Sequence, residues 1–288
     1  MKRTVFVLVC LTILAGLPAI AWADWDPNDP YLFKQMPNLA TSGIDINSTS
    51  YVPDEGYIVA DDFILSTSTK ITDFHLWGSW KNDVLPDNLW WLIDPNTGED
   101  LAPPSPDASY MKISVGIYAD IPASQNPDHY SKPGTLLWSA SFHRASTWEP
   151  NEGWFYTRKY ADDIQEGFMN PVAPLEYTFP GDTECYQYNC YITEDMAFSA
   201  QAGTIYWLGV TVESLDRSMA DPQFGWKTSV DQWNDKAVGA QASSDWTWTK
   251  ITKGGQNYDM AFVVTPEPAS LSLLLLGGLS LLRRRKSA

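Results

Sequence analysis

Four groups of residues have types and spacings that could do chemistry. Asp94-Pro95-Asn96-Thr97-Gly98-Glu99-Asp100 sets side-chain oxygens at Asp94, Asn96 and Asp100 around a glycine turn. Hard oxygen ligands on one tight loop suit a calcium ion, which makes this loop the candidate metal site. It lacks the bidentate glutamate that completes an EF-hand, and Asp-Pro-Asn-x-Gly also reads simply as a turn. Asp61-Asp62 puts two adjacent carboxylates into an apolar strand, where successive side chains point to opposite faces. Either one of them is buried and needs a hydrogen-bond or cation partner, or the pair is an exposed strand end. Trp246-Thr247-Trp248 places two indoles on one strand face. Such a platform can stack on sugar rings, and equally it can fill a core, since each ring buries roughly 150–250 Å². Cys185 and Cys190, four residues between them, predict a small-loop disulfide if the chain is exported.

No catalytic signature accompanies these groups. There is no Gly-x-Ser-x-Gly elbow, His-Glu-x-x-His, phosphate loop or dinucleotide fingerprint, so catalytic residues are unknown from the sequence. His75, His129 and His143 show no metal spacing, and His75, inside an aromatic stretch, reads as a structural histidine satisfied by a neighbour. The acidic residues are too numerous for any two to be singled out as a glycosidase pair.

The elements that must position these residues are strands. Met111, Ile113, Val115, Ile117 and Ala119 are apolar at every second position, the mark of a half-buried strand. The same period recurs at Leu136–Phe142, Leu175–Phe179, Tyr206–Val212 and Met260–Val264, with earlier strands at Tyr57–Leu65 and Ile71–Trp80. Turn clusters such as Lys132-Pro133-Gly134 separate them, and no amphipathic helix is evident. The pattern predicts a single all-β domain over residues 24–265, an antiparallel β-sandwich of jelly-roll-like type. Residues 24–53, rich in Pro, Asn and Ser, predict an irregular segment draped over it.

The two ends read as addresses. Lys2 and Arg3, an apolar run from Val5 to Leu17, and Ala21-Trp22-Ala23 compose a signal peptide over residues 1–23, with Asp24 as the mature N-terminus. At the other end, Pro266-Glu267-Pro268 precedes an apolar segment, 269–282, and then Arg283-Arg284-Arg285-Lys286. As a helix those 14 apolar residues span ~21 Å, short of the roughly 30 Å bilayer core. The basic cluster stays on the cytoplasmic side and leaves the large domain outside. Together the two signals hold six of the 19 basic and one of the 35 acidic residues, leaving 13 and 34, a net charge of −21. That field repels phosphate backbones and excludes nucleic acid as a partner.

Residues 266–288 resemble a PEP-CTERM sorting tail: the Pro-Glu-Pro triplet, the apolar run and the arginine cluster in that order. The resemblance implies a membrane-embedded, exosortase-type sorting enzyme as a partner alongside signal peptidase. It also implies membrane contact only through the tail before processing, and a final place at the cell surface or in the extracellular matrix. The body carries its own set: Val59-Ala60-Asp61-Asp62-Phe63, Ile71 to Trp80, Tyr206-Trp207-Leu208-Gly209-Val210, Phe224 to Ser229, and Tyr258 to Phe262. These resemble a secreted bacterial domain family of unknown function, which implies one extracellular domain and no activity. The resulting expectation is a non-enzymatic surface or matrix protein that binds polysaccharide or serves structurally, with Ca2+ as a structural ion. The alternative is a secreted carbohydrate-active enzyme of glycoside hydrolase type, or a carbohydrate-binding module.

Overall fold

Period-two alternation becomes strand after strand in the computed structural model, which describes residues 25–50, 56–86, 111–144, 152–173, 175–214, 222–242 and 246–265. The first strands are β1 (Phe33–Gln35), β2 (Ile44–Asn47), β3 (Thr49–Ser50), β4 (Tyr57–Ile64), β5 (Thr69–Ile71) and β6 (Asp73–Trp80). Next come β7 (Met111–Ile121), β8 (Lys132–Arg144), β9 (Gly153–Ala161), β10 (Glu166–Met169), β11 (Tyr177–Asp182), β12 (Cys185–Tyr191), β13 (Phe198–Ala200) and β14 (Ile205–Ser214). The last are β15 (Phe224–Lys227), β16 (Val238–Gln241), β17 (Thr249–Lys250), β18 (Thr252–Lys253), β19 (Gln256–Asn257) and β20 (Phe262–Val264). Among the described residues the only helical element is a 3-10 turn at Lys81–Asp83, and no helix is long and apolar enough to cross a membrane.

Sixteen strands share one sheet in the order β11-β10-β2-β15-β6-β12-β9-β8-β7-β14-β4-β16-β17, with β1, β20 and β3 attached at its side. Its pairings are antiparallel apart from β10 with β2, β14 with β3, and β8 with β9. The last of these joins the two halves of the order through only three register pairs, Phe142 to Arg144 against Gly153 to Phe155. The halves face each other across one aromatic core: Phe74 of β6 meets Phe142 of β8 edge-on at 6.4 Å, and Phe63 of β4 meets Phe262 of β20 at 6.1 Å. The result is an all-β, sandwich-like single domain, its inner faces supplied by every second residue of strands such as β7 (Met111, Ile113, Val115, Ile117) and β14 (Tyr206, Leu208, Val210, Val212).

Two expectations are corrected. Residues 24–53 are not irregular throughout, because Ile44 and Ile46 alternate into the core and β2 is hydrogen-bonded between β10 and β15. The alternation at Leu175, Tyr177 and Phe179 does form β11 at its C-terminal part, but β11 is an edge strand and all three side chains are exposed. Period two marks a strand without saying that its apolar face is covered.

Candidate functional site

The strands β11, β10, β2 and β15 lie side by side, and each carries one charged residue into a common closed space. Ile44 and Ile46 face the core, which turns Asp45 to the opposite face of β2; Phe224 and Trp226 do the same for Lys227 of β15. Asp45 and Lys227 are direct cross-strand partners, and so are Glu166 and Asp182. None of these residues is more than 2 % exposed. Two glycines make that closure geometrically feasible. A side chain on Gly43 would sit 2.3 Å from the Asn38 carbonyl and 2.7 Å from Glu166 Oε1, and one on Gly225 would sit 2.5 Å from Asp45 Cβ.

Lys227 Nζ donates to Asp45 Oδ2 at 2.8 Å and makes a closer contact with Glu166 Oε2. Burial, reinforced by Asp45, pushes the Glu166 carboxyl up to about 8 and that of Asp182 up to about 10. Burial alone would pull the Lys227 ammonium down; the charges of Asp45, Glu166 and their neighbours outweigh it and hold the value up. At neutral pH the Glu166 and Asp182 carboxyls therefore keep their protons, which reduces the charge that the interior must hold beside the Lys227 ammonium. Oxygens of Asp45, Glu166 and Asp182 lie within 4.8 Å of one another, a spacing that hard divalent ions also use. Here the Lys227 ammonium stands in the cation's place, so the arrangement is a buried lysine site. Asp45 Oδ1, Glu166 Oε1 and both Asp182 oxygens have no hydrogen-bond donor among the described residues.

A second acidic group is built differently. Asp61 and Asp62 of β4 are both fully buried, although they point to opposite faces. The reading of Asp61-Asp62 as an exposed strand end is thus set aside. Asp61 accepts the Met260 backbone N–H at 2.7 Å, and Asp62 accepts from the Asn234 amide. Asp259 accepts the Trp233 backbone N–H at 2.7 Å and the Lys236 ammonium at 3.1 Å. Burial, then the charge of Asp259, raises Asp61 well above the usual carboxylate range; burial chiefly raises Asp62 to about 8. Backbone amides and protonation, not an internal lysine, satisfy this group.

The remaining sites expected from sequence divide plainly. His75 is a structural histidine: its Nδ1 lies 2.6 Å from Asn189 Oδ1, and its Nε2 lies 3.3 Å from Asp73 Oδ1 and 3.4 Å from Thr265 Oγ1. The predicted disulfide is not formed, and Cys185 and Cys190 are free and buried. Both sit in β12, where five residues of extended chain span about 17 Å and alternate faces, whereas a disulfide needs Cα atoms within about 7 Å. Burial pushes both thiols well above their ordinary range. The calcium loop at Asp94, Asn96 and Asp100, the signal peptide, the segment 269–282 and the tail with Pro266, Glu267, Pro268 and Arg283 to Lys286 lie outside the described residues.

Trp246 and Trp248 do come together. With Ile58, Tyr118 and Thr211 they line an open cleft of about 350 Å³. Trp246 is 43 % exposed, whereas Trp77, Trp80, Trp207 and Trp226 are fully buried. Trp248 packs edge-on against Tyr118 at 5.8 Å, and the Tyr130 hydroxyl donates to the Trp248 carbonyl at 2.7 Å. Tyr130 also lines a neighbouring polar cleft of about 170 Å³ with His129, Asp235, Lys236 and Lys250. Trp246 is not on a strand face: it holds a left-handed backbone, φ 55°, which a bulky side chain adopts only at a cost of roughly 1–2 kcal/mol. The polar cleft and the Lys227 cluster were not foreseen. Lys227 was visible only as a lone lysine ending Phe224-Gly225-Trp226-Lys227, and its partners come from sites 61 and 182 residues away.

Residues 31–265 match the model of a family described as Domain of unknown function (DUF7901), and no curated protein matches the chain.

Proposed function

The chain belongs to the DUF7901 family of domains of unknown function, and on that premise we propose that it is an exported, surface- or matrix-associated binding domain. Its ligand is an extracellular polysaccharide, held on the Tyr118–Trp246–Trp248 cleft. The observation that carries this reading is the exposed, backbone-strained Trp246 beside Trp248 in a molecule that fully buries Trp77, Trp80, Trp207 and Trp226. Aromatic faces stack on the apolar faces of sugar rings, and a few polar groups beside them fix orientation. Asp235, Lys236 and His129 in the adjoining cleft supply such groups. A glycosidase would need two carboxylates roughly 5–9.5 Å apart across its cleft. Among the described residues that line the two clefts, only Asp235 is a carboxylate.

Export rests on the signal-peptide pattern and the resemblance of residues 266–288 to a PEP-CTERM tail. In this reading signal peptidase releases Asp24, the tail holds the chain in the membrane, and an exosortase-type enzyme removes it near Pro266-Glu267-Pro268. Protein isolated from its native host tests both halves. Its mass should place the ends at Asp24 and near Pro266, and an intact C-terminus at Ala288 refutes the processing. Its migration should be retarded in native gels cast with the host's own extracellular polysaccharide, and W246A or W248A should abolish the retardation. Equal migration of the wild type with and without polysaccharide sinks the binding reading.

A further inference from the structure

The buried cluster on β2, β10, β11 and β15 holds the components of an amide bond in contact. Lys227 Nζ reaches over β2, which lies between β15 and β10, to touch Glu166 Oε2 on the far side. Asp45, on β2 itself, sits beneath that bridge and accepts from the same nitrogen at 2.8 Å. We propose that Lys227 and Glu166 condense into an intramolecular isopeptide bond, with Asp45 as the proton carrier.

The atoms balance without any co-reactant. The Lys227 ammonium gives one proton to the Asp45 carboxylate, which frees the nitrogen lone pair. That nitrogen adds to Glu166 Cδ, forming the C–N bond. Asp45 relays a nitrogen proton to the carboxyl hydroxyl, the C–O bond breaks, and one water leaves. The products are an amide, a protonated Asp45 and the water. Nothing is oxidised or reduced.

Three features favour the reaction in this place. The Glu166 carboxyl is in its protonated form at neutral pH, so its carbon is an electrophile. The reactants are held together by four paired strands, which replaces a collision in solution with a fixed contact. The product also removes the last ammonium–carboxylate pair from a fully buried site, where an ion pair carries a large desolvation penalty. Asp182, its carboxyl raised by burial to about 10 and lying within 4.8 Å of Asp45 and Glu166, closes the remaining side of the same space. In a domain whose two described cysteines are free, the bond would be its covalent staple.

Tryptic digestion of the unfolded full chain, followed by tandem mass spectrometry, decides the matter. The expected result is no cleavage after Lys227 and a branched peptide that joins Lys227 to Glu166. Its mass should fall short of the sum of its arms by one water. E166A and D45N should yield linear peptides, with circular dichroism reporting that each variant is folded. A linear Lys227 peptide from the folded wild type overturns the proposal by itself, whatever the variants do. A branch to Asp45 or Asp182 overturns the assignment of Glu166.

Discussion

Two groups of buried acids lie in one sandwich and solve the same problem by different means. Asp45, Glu166 and Asp182 enclose a lysine that is itself fully buried, and its ammonium is the cation of the group. Asp61, Asp62 and Asp259 have no buried lysine; they take backbone N–H groups from Met260 and Trp233, the Asn234 amide, and Lys236, whose side chain is 26 % exposed. The contrast separates a closed set built around a buried ammonium from a set of hydrogen-bond acceptors served by backbone amides, protonation and one partly exposed lysine. Removing the cation should therefore matter greatly in one and little in the other.

Replacing Lys227 is the harshest way to break this contrast. K227M strands the buried carboxylates without a partner, and uncompensated buried charge costs about 3–5 kcal/mol. If the Lys227–Glu166 bond forms, its loss reopens a loop of 61 residues, a further ~4 kcal/mol in the chain-entropy account. Urea unfolding of K227M should show a loss at least as large as the first figure. K236M, with its partly exposed ammonium, should lose only about 1 kcal/mol or less. Equal losses would erase the distinction between the groups.

The second group should instead show itself through pH. Asp62 rises from 3.8 in the unfolded chain to about 8 in the folded one. Between those values the unfolded chain releases a proton that the folded protein retains, so raising the pH favours unfolding. The stability that this residue supports is complete below pH 3.8 and is lost progressively as the pH climbs through 8. D62N removes the titration and keeps an acceptor for Asn234, so its melting temperature should decline less than the wild type's across that window. An unchanged slope would remove Asp62 from the pH response.

What could be read beforehand follows the physics of each signal. Strands such as β7 and β14 are written locally, because one face of each is covered and the apolar residues recur every second position. Burial of Asp61 and Asp62 was half legible, since adjacent strand residues must face both ways. Lys227 was not legible, because the acids that surround its ammonium sit on three strands that come from distant parts of the chain. The disulfide failed for the opposite reason: proximity in sequence is separation along an extended strand. Trp246 and Trp248 line one cleft, but a turn brings them there and not the strand face expected from their spacing.

The difference between the two acidic groups comes down to the fate of two lysines, and one experiment reads both in the same spectrum. The full chain is unfolded in denaturant, treated with an amine-acylating reagent and mapped by mass spectrometry. Lys236 should be acylated to completion while Lys227, already an amide, takes up none. Equal acylation of Lys227 and Lys236 would contradict the account.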